Sequence, residues 1–176
     1  MFSNIDRKIF NNEAMRSGTL LGLLWIAMYA AAVGGMSNPA YLPMFMILFI
    51  ASPFYAGYLA KRFRKNFCNN TIDYIHAWLF VLVEYLCASL LSAIAIFIYM
   101  YFFDSSVLAD TMKRMLDIME AEPQLYGESA TQMKEIIAIY SSLSIRDIVL
   151  NITTTNLTNG TIIALIIALF VKRNQQ

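Results

Sequence analysis

Residues 78–100 read WLFVLVEYLCASLLSAIAIFIYM, an apolar run interrupted by one carboxylate, Glu84. A helix rises about 1.5 Å per residue, so a run of this length reaches across the hydrocarbon of a bilayer, about 30 Å thick. Three further runs have the same character. The spans are read at about 17–36, 42–60, 76–103 and 150–171. The whole chain agrees: of its 176 residues 59% are hydrophobic and 14% are charged, with a mean hydropathy of +0.55. Soluble domains carry about 45–50% apolar and about 25% charged residues. A chain this short cannot enclose so much apolar surface in one aqueous globule, so the bilayer is its solvent. The net charge of +1 leaves no basic patch for a nucleic acid.

The first run shares features with a secretory signal, having Arg7, Lys8 and Arg16 ahead of it and Ala30, Ala31 and Ala32 within it. Its charged leader is too long for that role and three spans follow, so it is read as a retained helix. Lysine and arginine counts set the orientation. Nine lie in the N-terminal segment, the 61–75 loop and the tail, against four in the loops of the opposite side. Both termini are therefore expected in the cytoplasm. The 104–147 segment, with eight acids, is expected outside it.

That segment shows Leu108, Met112, Met115 and Met119 at helical spacing, and then Met133, Ile136, Ile137, Tyr140 and Leu143. Between the two stripes EPQLYGES, residues 122–129, brings Pro123 and Gly127 as punctuation. Asp104-Ser-Ser and Glu128-Ser are candidate openings for the two helices. An extracytoplasmic helical hairpin is expected. Thioethers suit Cu(I), but methionine at this spacing is ordinary packing material and no His or Cys accompanies it. No metal site is assigned.

Glu84 lies six residues beyond Trp78, or about 9 Å into the hydrocarbon. An acid there costs several kcal/mol unless it is neutral, paired or wetted. Its helix face carries Phe80, Cys87, Ala88, Leu91 and Ala95, and small residues on a face mark helix contact. Glu84 is thus expected to point into the bundle. Equal depth on the second helix selects Tyr55 as a hydrogen-bond donor to it. Equal depth on the first selects Gly22, which with Gly18 makes a GxxxG pair allowing close backbone approach. Pro53 removes a backbone bond beside Tyr55 and suggests a hinge. Two roles follow for the acid: a neutral group pinning helices together, or a carboxylate handling protons or cations. His76 is read as interfacial, and Cys68 and Cys87 as inert thiols.

The fourth span opens with NITTTNLTNGT, residues 151–161. Asn151, Thr155, Asn156 and Asn159 form a polar patch that lipid does not tolerate on every face. They are expected to bond to other helices and to carbonyls one turn back, or to line water. No GxSxG, HExxH or phosphate loop occurs, and there is one histidine. No enzyme and no cofactor is read.

EAMRSGTLLGLLWI, the basic stretch after the second span, the Met/Glu/Gln-rich segment and NGTIIALIIALFVKRN together resemble the bacterial "domain of unknown function 4199" family, small four-span membrane proteins. The resemblance covers most of the chain, and the polar NITTTNLTN run departs from it. It implies a bacterial inner membrane and carries over no activity or catalytic residue. The expected molecule is one all-α membrane domain, a four-helix bundle with a hairpin between spans three and four. Its expected role is a non-enzymatic scaffold or accessory protein binding itself (a homo-oligomer) or a membrane-protein partner. The alternative is a small transporter or channel subunit using Glu84.

Overall fold

The computed structural model describes residues 7–103 and 106–173. Six α-helices account for nearly all of them: α1 (Arg7–Ser37), α2 (Leu42–Phe67), α3 (Tyr74–Phe102), α4 (Val107–Ala121), α5 (Pro123–Ser141) and α6 (Ile145–Val171). Four of these, α1, α2, α3 and α6, are long and apolar enough to cross a membrane. The chain is an all-α, multi-pass membrane protein. The described residues form two compact units, one of residues 7–94 and 153–173 and the other of residues 95–103 and 106–152.

In the first unit α1 and α2 are neighbours, joined by a single 3₁₀ turn, Pro39–Tyr41. The turn is tied by the Asn38 side chain, whose Oδ1 accepts from the Ala40 N–H at 3.0 Å. α2 runs through Pro53 to Phe67. Its core face presents Ser52, Ala56, Leu59, Ala60, Phe63 and Arg64, the three-and-four spacing of a helix packed on one side. At one end Phe63 stacks on Phe80 with ring centres 4.2 Å apart. Phe10 meets both rings edge-on at 5.6 Å, the favoured aromatic geometry. Hydrocarbon gives apolar side chains no reason to prefer a neighbouring helix over lipid, so van der Waals fit and polar bonds must hold such helices together.

α3 is the helix that tests this fit, because glycines press against it from two sides. A Cβ at Gly18 of α1 would lie 2.6 Å from both the Cys87 Cβ and the Glu84 carbonyl oxygen. One at Gly22 would lie 2.9 Å from Leu91 and 3.2 Å from the Ala88 Cα. One at Gly160 of α6 would lie 2.5 Å from the Tyr85 ring. The Gly18–Gly22 pair is thus the contact face of α1 on α3, on the small-residue side of α3. Gly160 supplies a second contact that the sequence reading did not single out.

Beyond α2 the chain turns through Asn69 and Asn70 with φ of 49° and 61°. Asparagine tolerates this left-handed region better than other residues with a Cβ. The turn delivers Ile72 to Arg173, where a two-residue antiparallel bridge forms. Its bonds run from the Ile72 N–H to the Arg173 carbonyl at 3.0 Å and back from the Arg173 N–H at 2.8 Å.

In the second unit α4 and α5 contact one another. Lys134 and Glu120 join them by an ion pair of 2.6 Å. Glu122 alone separates the two helices, and Pro123 is the first residue of α5. The eight-residue break expected at 122–129 is therefore one residue long. Proline lacks the N–H that a first-turn residue leaves unbonded anyway, so it starts the helix. Glu128 then lies inside α5 and opens nothing. Asp104 and Ser105 lie outside the described residues, and the Ser106 hydroxyl donates to Asp110 at 2.9 Å. α6 begins at Ile145, five residues before the expected 150. Ser144 caps it, its Oγ accepting from the Asp147 N–H at 3.3 Å and donating to the Asp147 carboxylate at 2.6 Å.

Candidate functional site

Glu84 sits at the centre of the first unit with 0% of its surface exposed. Its backbone oxygen lies under Gly18, and its neighbours along α3 are the buried Val81, Tyr85 and Ala88. The inward orientation read from its helix face is what the structure shows. Neither carboxyl oxygen has a hydrogen-bond partner among the described residues. Tyr55 does not bond to it; its half-buried ring stacks on Tyr58 at 6.3 Å. Equal depth brings Tyr55 and Glu84 to one level without fixing the direction in which α2 presents each side chain. Each successive residue on a helix is rotated by about 100°, so the buried positions of α2 fall on Ser52 and Ala56 and Tyr55 lies to one side of them.

Ser52 binds a different group. The indole N–H of Trp25 donates to its Oγ at 2.7 Å, joining α1 to α2 in the buried layer beside Glu84. Trp25 also meets Tyr85 edge-on at 5.5 Å. The Tyr85 hydroxyl is buried and makes no hydrogen bond among the described residues. Two adjacent residues of α3, Glu84 and Tyr85, thus carry three buried oxygens that make no hydrogen bond among the described residues. Buried polar atoms are nearly always bonded, and each exception costs about 1–3 kcal/mol. Buried Ser89 and Ser92 are satisfied locally, donating to the carbonyls of Leu86 and Ser89 at 2.9 and 3.0 Å.

The polar run of α6 divides. Asn156 donates to the Tyr29 hydroxyl of α1 at 2.7 Å. Thr158 and Thr161 donate to carbonyls one turn back, those of Thr154 and Leu157, at 2.9 and 2.8 Å. Asn151 accepts from the Tyr140 hydroxyl at 3.1 Å within the second unit. Thr155 and Asn159 are exposed. Interhelical and back-bonding contacts therefore take up part of the patch, as expected of such residues in a span.

The basic C-terminal end of α2 holds a buried residue that hydropathy does not single out. Arg64 is buried, and its Nη1 donates to the Val171 carbonyl at 2.5 Å, at the C-terminal end of α6. That end carries partial negative charge and unbonded carbonyls, so the guanidinium caps α6 from another helix. The only sequence signal was its place on the core stripe, one position after Phe63 and four after Ala60. Arg64→Met keeps the bulk and removes the bond. It is expected to destabilise the fold by about 1.5–3 kcal/mol, as for hydrogen bonds to charged groups. Denaturation of the two proteins in mixed micelles checks this.

Near the same end, His76 Nδ1 is hydrogen-bonded to the Asp73 carboxylate. Partial burial pulls the Asp73 carboxyl upward, but the bond to His76 and its charge hold it below the usual range. His76 is half-buried at the start of α3. Burial pushes the Cys68 thiol up to about 11, which suits an unreactive cysteine.

No curated protein and no solved structure matches the chain. A family model does, described as a protein of unknown function (DUF4199) and matching residues 16–173. The match begins at Arg16, ahead of Gly18, and ends at Arg173, the last residue of the bridge to Ile72, so it takes in the glycine contacts on α3 and the Arg64 cap but not Phe10. The chain belongs to the DUF4199 family.

Proposed function

We propose that the protein is a non-enzymatic scaffold or accessory protein of a bacterial inner membrane, with both termini cytoplasmic, that assembles with copies of itself. The supporting observation is the surface of α4 and α5. These two helices carry eight charged residues, too many for hydrocarbon, where each costs about 2.5–3.5 kcal/mol. Yet Met115 and Ile118 of α4, and Ile136 and Ile139 of α5, are exposed. Within each pair the residues are three apart and share a face. Apolar groups left to water on a charged helix mark a surface that another protein covers. The unequal lysine and arginine counts support the orientation.

Oxidative cross-linking in native membranes tests the proposal. Ile118→Cys and Ile139→Cys are expected to give disulfide-linked dimers, while Lys113→Cys, elsewhere on α4, stays monomeric. Monomers from both apolar positions would overturn self-assembly through this surface.

Glu84 supports a second reading, proton or cation handling. A structural pin needs a bonding partner, and its two oxygens have none among the described residues. Ion-pathway acids in membranes are typically placed this way, facing the bundle interior.

A further inference from the structure

We infer that α1 and α2 form a binding site for the phosphate of an anionic phospholipid. A pocket of about 70 Å³ lies between them, where the apolar runs meet the basic ends. Arg16, Arg62, Ser17 and Asn66 supply its polar wall. Leu20 and Leu59, one turn deeper on each helix, supply the apolar wall. A lipid headgroup with its first acyl carbons has the same division.

Charge favours an anion. Glu13 also lines the pocket and pairs with Arg16 at 3.8 Å. That leaves Arg62, which makes no ion pair among the described residues, as a net positive charge. A phosphodiester carries one negative charge and accepts from guanidinium, amide and hydroxyl groups together. Arginine suits it because its donors form a planar fork. The juxtaposed Leu20 and Leu59 favour lipid over a free phosphate, which gains nothing from apolar walls.

Native mass spectrometry of the purified protein, titrated with phosphatidylglycerol, provides the test. Wild type is expected to retain one lipid tightly, and Arg62→Gln to bind it about tenfold more weakly, the loss of one charge-assisted hydrogen bond. Lys61→Gln, which removes a neighbouring charge outside the pocket, is expected to bind as wild type does. Arg62 is exposed, so its variant should fold, and circular dichroism verifies it. Undiminished binding by Arg62→Gln would overturn the inference. So would an equal loss in Lys61→Gln, which would mean attraction to basic charge in general. Displacement of the lipid by an equal concentration of inorganic phosphate would also overturn it, in favour of a free-anion site.

Discussion

Gly18→Ala is expected to destabilise the protein, although alanine is the better helix former. The added methyl would lie 2.6 Å from the Glu84 carbonyl oxygen and from the Cys87 Cβ. One of these is backbone and the other is fixed to it, so neither can swing away as the end of a flexible side chain could. α1 and α3 must separate, and the close contact is lost along the whole face that includes Gly22. Overpacking of this kind costs about 1–3 kcal/mol. Gly127→Ala gives the opposite sign. It lies within α5 with nothing inside 4 Å of the new carbon, so only the helix preference acts, a gain of about 0.5–1 kcal/mol. Denaturation of both variants in mixed micelles separates packing from propensity. Equal effects of one sign would mean that α1 does not pack on α3 through Gly18.

Glu84→Met is expected to stabilise the fold by about 1–3 kcal/mol, the cost of leaving buried oxygens unbonded. Methionine is unbranched, of similar length and adaptable, so it fills the same space. Paired with function, this variant is informative in both directions. A more stable protein that has lost cation or proton flux in vesicles would identify Glu84 as a functional group held at a cost in stability. A more stable protein that still forms cross-linked dimers, with no flux in either form, supports the scaffold. A less stable protein would mean that the carboxyl group has bonds, to water or to a partner, that its surroundings in the isolated chain do not contain.

The spans were legible because lipid demands long apolar runs, and the bounds 42–60 and 76–103 lie no more than seven residues from the ends of α2 and α3. α1 and α6 begin about ten and five residues earlier than the apolar runs, in polar residues such as Arg7 and Asp147. Hydropathy marks where a helix can enter lipid, whereas caps such as Ser144 decide where it begins. Glu84 was legible for a related reason: a charge in an apolar run must turn inward, and the small residues beside it showed which way. Its lack of a bond was not legible. Equal depth can bring Tyr55 near the same plane, but helix rotation about its own axis is set by packing, and that rotation placed Ser52 inward to Trp25. Gly160 was hidden among asparagines and threonines whose polarity drew attention away from its missing side chain. Arg64 looked like its neighbours Lys61, Arg62 and Lys65, and its place on the core stripe gains meaning only from the position of α6.

The link from the α2–α3 turn to the end of α6 sets an order on biosynthesis. Arg64 and Ile72 emerge from the ribosome about a hundred residues before Val171 and Arg173, their partners. During that interval α1, α2 and α3 are membrane-inserted while Arg64 has no carbonyl to cap and Tyr85 no glycine to rest against. A chain that stalls after its third span therefore lacks both the carbonyl that Arg64 caps and the glycine that covers Tyr85.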